Sequence, residues 1–335
     1  MTKSEIIELL KTPDSTALFR SADQVRRDEV GDAVELRALL EISNHCQRNC
    51  LYCGIRRGNS NLFRYRMTPE EILAVAREAA SAGFQTLVIQ SGEDAGYSLA
   101  TLCDVVRTIK METDLAITLS LGEKTKSEYA ALRAAGADRY LLKIETTDED
   151  LFKRLKPDSS FPNRVRCLHD LLDLGFQTGC GSMVGLPGQT LAALAEDILF
   201  FQNMNFDMIG IGPFIPHPET PLADAAGGTV ELTLKVVAIT RLLTRNAHLP
   251  ATTAIASLDS TGREKALAAG ANVIMPNITP IQYREHYQIY PGKVCSQFPM
   301  QDNLPQLEKM LQSLGRTISR TKGHSLKYKE RVVHG

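Results

Sequence analysis

The sequence predicts an α/β chain folded as a closed (β/α)8 barrel, and three observations carry that prediction. Short apolar runs recur eight times along the chain, amphipathic stretches separate them, and four helix-to-strand joints share one glycine signature. The runs are 37–44, 86–92, 116–122, 139–146, 178–185, 208–215, 251–257 and 271–277. Most are too continuously apolar for a strand with one wet face, so they read as parallel strands buried on both sides.

Of the intervening segments, the clearest helix starts at Thr68-Pro69-Glu70-Glu71. Thr68 caps it, Pro69 suits its first position, and Glu71 completes a capping box. The helix ends at Gly83, read as a left-handed cap. That ending, Ala82-Gly83-Phe84, recurs as Ala135-Gly136-Ala137, Leu174-Gly175-Phe176 and Ala269-Gly270-Ala271, each a few residues before a predicted strand. A doubly wound sheet is the alternative, but no Gly-rich dinucleotide fingerprint follows the first strand. Residues 1–36 are expected to form an N-terminal helical cap, 37–277 the barrel, and 278–335 a C-terminal extension closing it. The basic tail from Arg320 onward reads as a solvated end.

Composition narrows the function. A net charge of −1 over 335 residues lacks the basic excess of a nucleic-acid surface. No apolar run is long enough to span a bilayer, which argues against a membrane partner. The acidic, helical start does not look like a signal peptide, so a cytoplasmic protein is expected. The seven cysteines are odd in number, and Cys46, Cys50 and Cys53 crowd into eight residues, which points to metal or redox chemistry rather than to a disulfide framework.

The spacing is Cys-x3-Cys-x2-Cys, directly after the first predicted strand, where a barrel places its active-site loops. Three thiolates on one loop can take one face of a 4Fe–4S cube and leave one iron open. A structural zinc site is the plainer alternative, but no second Cys or His pair lies at zinc spacing. Cys103, Cys167 and Cys180 read as buried small residues.

This motif, with the aromatic Tyr52 before the last cysteine, resembles the radical S-adenosylmethionine (SAM) superfamily. The resemblance implies one 4Fe–4S cluster on Cys46, Cys50 and Cys53, with SAM chelating the open iron and cleaved to a 5′-deoxyadenosyl radical. It also implies SAM contacts. Ser91-Gly92-Glu93, at the end of the second strand, would hold the methionine amino group. Ser120 is a candidate ribose contact, Glu145 resembles the ribose-binding carboxylate, and Arg164 would bind the SAM carboxylate. The strand around Ile211 could face adenine.

The segments Arg64 to Ile72, Gln90 to Asp94, Gly181 to Gln189, Gly210 to Pro218, Pro250 to Ala254, Ala271 to Asn277 and Tyr290 to Lys293 narrow the resemblance to the HydE family of hydrogenase maturases. The family implies radical attack at sulfur on a small, anionic, cysteine-derived iron carbonyl cyanide substrate. Thr118, Lys143, Thr252, Thr253 and Tyr290 are the expected substrate contacts. A reduced flavodoxin or ferredoxin-type donor and other hydrogenase maturases are the expected partners. Two departures stand out. Some family members carry three further C-terminal cysteines for a second cluster, whereas this chain has only Cys295. The family's Arg-His-Glu-Thr is here Lys143-Ile144-Glu145-Thr146, and lysine lacks the two-pronged geometry of arginine. A biotin synthase- or methylornithine synthase-like enzyme, or a non-catalytic Fe–S scaffold, are the competing readings.

Overall fold

The computed structural model describes residues 1–293 and 300–328. Its strands are β1 (Ala33–Leu36), β2 (Ala38–Ser43), β3 (Thr86–Ser91), β4 (Ala116–Ser120), β5 (Arg139–Leu141), β6 (Gln177–Cys180), β7 (Met183–Val184), β8 (Met208–Ile209), β9 (Gly212–Pro213), β10 (Val273–Ile274) and β11 (Thr317–Ile318). Its helices are α1 (Lys3–Lys11), α2 (Thr16–Val30), α3 (Pro69–Ser81), α4 (Leu99–Glu112), α5 (Lys126–Ala134), α6 (Glu149–Leu155), α7 (Phe161–Asp173), α8 (Leu191–Asn203), α9 (Val230–Thr244), α10 (Thr253–Leu258), α11 (Gly262–Ala268), α12 (Ile281–Arg284) and α13 (Met300–Ser313).

Strands β2, β3, β4, β5, β6 and β8 pair in that order, all parallel. Beyond β8 the ring continues through single parallel bridges, Met208 to His248 and Pro250 to Val273, and closes where Leu39 meets Asn277. The barrel therefore has eight staves, but the seventh is only a short extended stretch. Residues 251–257, expected as a strand, instead enter α10. Thr252 stands at that helix's N-cap, so the apolar run ATTAIAS packs as a helical turn against the barrel rim. A short apolar run does not by itself distinguish the two periods.

The local rules read from sequence appear in the backbone. Thr68 and Glu71 form the reciprocal capping box on α3. At all four glycine joints the glycine has positive φ, between 72° and 113°. At each joint two amides reach back to the helix: Gly83 N to Ala80 O with Phe84 N to Ala79 O, and the equivalent pairs at Gly136, Gly175 and Gly270. This is the Schellman closure, which satisfies the last helical carbonyls and turns the chain into the next strand.

Helices α1 and α2 cover α8 and α9, and this is why α9 is buried on nearly every side. Strand β1 lies between β10 and β11, below the main sheet. Residues 322–328 do not fray as their charge suggests. Gly323 and Ser325 are buried, and residues 322–328 dock under the barrel. Arg139 donates to Lys322 O, Arg37 to Gly323 O at 3.3 Å, and Ser325 N to Gln177 Oε1 at 2.8 Å. Lys322 also pairs with Asp114. Barrel arginines thus cap carbonyls of this segment, and its Lys322 and Lys327 reach back to Asp114 and to Phe206 O.

Candidate active site

The cysteine loop follows β2 and is pinned on three sides by backbone hydrogen bonds. Gln47 N donates to Glu93 O at 2.9 Å, Leu51 N to Leu155 O at 2.8 Å, and Gly54 N to Ile289 O at 3.0 Å. Gly92 lets this loop sit on β3: a Cβ there would come within 2.2 Å of His45 O and 2.8 Å of the Cys46 Cβ. All three cysteines are free and half-buried, and they line one end of a cavity of about 370 Å³ that runs into the barrel. Burial pushes the Cys46 thiol up, and burial with the neighbouring Cys50 and Cys46 charges pushes Cys53 up further. Iron bound at the thiolates would compensate that cost.

Among the described residues, no three His, Cys, Asp or Glu side chains gather around one point as a single ion needs. A cubane instead places a different iron at each thiolate, so the three-cysteine loop fits a cluster better than a zinc ion. No fourth cysteine reaches the loop among the described residues. Cys103, Cys167 and Cys180 are buried in the core, where burial pushes Cys180 up to about 12. Cys295 lies outside the described residues.

The structure brings nearly all of the sequence-predicted site residues to this one cavity. Tyr52, Ser91, Gly92, Glu93, Ser120, Glu145 and Arg164 line it, as do Thr118, Lys143, Thr252, Thr253 and Tyr290. Ile211 is the exception. Its side chain is 1% exposed and packs in the hydrophobic core, while Gly210 and Gly212 on either side face the cavity. Strand alternation turns the side chain at 211 outward, so only the flanking backbone is available to a ligand.

Charge is arranged as a closed set at the cysteine end. Arg48 Nε lies 2.5 Å from Glu93 Oε2, and its Nη2 lies 3.1 Å from Glu123 Oε2. Arg164 Nε lies 2.8 Å from Glu123 Oε1, and its Nη2 lies 3.6 Å from Glu93 Oε1. Burial disfavours charge on both arginines, but the two carboxylates outweigh it and hold both guanidiniums protonated. Lys143 and Glu145 pair with each other just past the end of β5, 3.0 Å apart. Glu145 has φ of 70°, in the left-handed region that a side chain rarely adopts, and its backbone bonds Gly181 O and Met183 N. Such strain held in place by neighbouring structure is common at binding sites.

Further in, Glu41 is fully buried, paired with Lys293, and accepts from Asn277 Nδ2 at 2.8 Å. The Lys293 ammonium also sits 5.0 Å from the centre of the Tyr287 ring. Two buried hydroxyls on the wall, Thr118 Oγ1 and Thr252 Oγ1, have no hydrogen-bond partner among the described residues. Polar atoms left open in this way mark where a ligand's polar groups would be received. Sequence reasoning missed Arg48, Glu123, Lys156, Tyr287 and the Glu41–Lys293 pair. Glu123 carried a signal, following Ser120 by three residues at a strand exit. Lys156, at the end of α6, carried none.

Comparison with known proteins agrees with this geometry. Residues 40–201 match the model of the radical SAM superfamily. The chain is 51% identical to the iron–iron hydrogenase maturase subunit HydE of Thermotoga maritima, over 96% of this chain and 93% of that protein. It is 26% identical to 3-methylornithine synthase of Methanosarcina acetivorans, over 80% of this chain and 76% of that protein. The crystal structure of methylornithine synthase superposes with a TM-score of 0.83 at 24% identity, covering 95% of this chain and 94% of that one, which supports the barrel fold. Membership at this level implies a 4Fe–4S cluster and SAM, the cofactors that the three-cysteine loop and its cavity fit. The chain belongs to the HydE family of hydrogenase maturases, within the radical SAM superfamily.

Proposed function

We propose that this chain binds a single 4Fe–4S cluster through Cys46, Cys50 and Cys53 and acts as a radical SAM enzyme in assembly of the diiron cofactor of iron–iron hydrogenase. Its substrate is a small, anionic, sulfur-containing molecule of the cysteine-derived iron carbonyl cyanide class. The observation that carries this reading is one cavity with three thiols at one end and, among the described residues, two unpartnered hydroxyls, Thr118 and Thr252, on its wall.

When bound, the cluster and SAM supply an electron and a 5′-deoxyadenosyl radical. The protein's residues orient the reactants and keep water out. Arg48 and Arg164 fix the Glu93 carboxylate at the cavity wall, where it can receive an ammonium. Glu145, held by its neighbours, would receive a ribose hydroxyl. Thr118, Thr252 and Thr253 offer hydroxyls to a carboxylate or cyanide, and Lys143 and Tyr290 flank them. The apolar walls around Leu39, Val88 and Met208 exclude solvent from a reactive radical. A reduced flavodoxin or ferredoxin-type donor would deliver the electron in the cytoplasm, and other maturases would take the product.

The test is maturation itself. An iron–iron hydrogenase co-expressed with its other maturases and this chain in place of HydE should become active, and Cys50→Ser should abolish that activity. Hydrogenase that stays inactive beside a folded, cluster-bearing chain would contradict the substrate assignment.

A further inference from the structure

Of the six buried residues of α8, five are apolar and the sixth is Asp197. Its side chain is fully buried. Among the described residues, Asp197 Oδ2 has no hydrogen-bond partner. Its Oδ1 takes two bonds from a single residue 50 positions away, the Thr147 backbone N–H at 2.6 Å and the Thr147 hydroxyl at 2.7 Å. A buried carboxyl with one oxygen unmet costs stability. Such a cost on an otherwise apolar face points to what the carboxyl holds.

Thr147 lies two residues beyond Glu145, on the exit from β5. Glu145 has a φ of 70°, and a residue with a side chain stays in that region only where its surroundings impose it. Three sets of bonds do so here. Before the turn, Lys143 O accepts from Arg164 Nη1 at 3.2 Å. At the turn, Glu145 N donates to Gly181 O and Glu145 O accepts from Met183 N, both at 3.0 Å. Beyond it, the Asp197 carboxyl grips Thr147. Helix α6 then begins, capped by Asp148 through Leu151 N at 2.9 Å, and its last residue accepts from Leu51 of the cysteine loop. Asp197 thus anchors a stretch of chain that carries Glu145 at its start and braces the loop at its end. Burial pushes the Asp197 carboxyl up to about 7, against the Thr147 bonds and helped by the charges of Asp148 and Glu145. Asparagine would mimic its neutral form and keep an oxygen for Thr147.

We propose that Asp197 is a positioning residue: through Thr147 it holds Glu145 in its left-handed conformation, and so sets how strongly the cavity prefers a ligand with free ribose hydroxyls. The assignment rests on the reading that Glu145 receives a ribose hydroxyl of SAM, and it adds the buried group, outside the cavity, that keeps this contact available.

The test compares SAM with an analogue lacking both ribose hydroxyls on the anaerobically reconstituted protein. Both dissociation constants are measured for the native chain, Asp197→Leu, Asp197→Asn, Thr147→Val and Glu145→Ala. The native chain should prefer SAM by roughly tenfold or more, the usual size of a hydrogen bond to a charged group. Asp197→Leu should cut that preference to within about threefold of none while holding the analogue within about threefold of its native affinity. Asp197→Asn should retain most of the preference. Should Asp197→Leu fail to fold, Thr147→Val, which deletes the hydroxyl bond alone, carries the test with an expected loss of about threefold. The native preference in folded Asp197→Leu, or in Thr147→Val, would overturn the proposal. So would equal weakening of both ligands, the mark of a packing role. The native preference in Glu145→Ala would instead overturn the ribose reading on which the proposal stands.

Discussion

Thr118 and Thr252 bury hydroxyls that no group among the described residues bonds, an arrangement that costs stability. Replacing Thr118 by valine, of the same shape and better suited to β4, removes that cost. Thr118→Val is expected to unfold at a higher temperature than the native chain, with a gain of about 1 kcal/mol, while turnover of the substrate falls. A variant that melts lower would mean that the hydroxyl is already satisfied. At this scale the sequence was informative where a motif points to a place, as with Cys46, Cys50, Cys53 and Glu93, which the fold brings to one cavity. It was silent where a role depends on what surrounds a side chain. Nothing local marks Arg48 as the partner of Glu93 and Glu123, which lie 45 and 75 residues away. Ile211 failed for a related reason: its strand was read correctly, but which face of it meets the cavity is set by the barrel.

Among the elements, the C-terminal segment 322–328 gives the clearest pH-dependent behaviour. His324 Nδ1 lies 2.7 Å from Gln177 Nε2 and 3.2 Å from Arg139 Nη2. Gln177 accepts from Ser325 through its oxygen, so its nitrogen is the donor and Nδ1 must accept. Burial first, and then Arg139, lower the His324 pKa to about 4, with Lys322 and Lys110 acting in the same direction and Asp138 against it. The group is depressed below its unfolded value of about 6.5, so its contribution to docking is full above that pH. The contribution declines as pH falls and is lost near pH 4. Protection of the Ser325 amide against hydrogen exchange, corrected for intrinsic rate, should therefore fall between about pH 6.5 and about pH 4 faster than that of Leu119 in β4. Parallel loss at both amides would contradict this. The docking was not legible beforehand, because Arg320 to Val333 carries the composition of a solvated tail. The glycine joints were legible, because a positive φ after a helix restricts the residue chemistry directly. The seventh stave lay between these cases, with ATTAIAS apolar enough for either a strand or a helix.

For the whole molecule, the barrel gathers segments from residue 37 to residue 293 around one cavity, with the thiols at one end and Arg37 at the other. Apolar runs and joints specified that closure, and the cysteine spacing pointed to the end of the cavity that holds the three thiols. Apart from Lys143 and Glu145, two residues apart on one face, the balance of charge inside the barrel emerged only from the fold, since the other pairs join distant segments. The central claim is that the loop of Cys46, Cys50 and Cys53 holds a cluster with one iron open to SAM. Its most direct test is the EPR spectrum of the anaerobically reconstituted, reduced protein with and without SAM, with 5′-deoxyadenosine assayed in parallel. The expected result is a cubane signal that changes on adding SAM, together with nucleoside product. A cluster whose signal ignores SAM, with no 5′-deoxyadenosine formed, would contradict the claim and leave the chain an Fe–S scaffold.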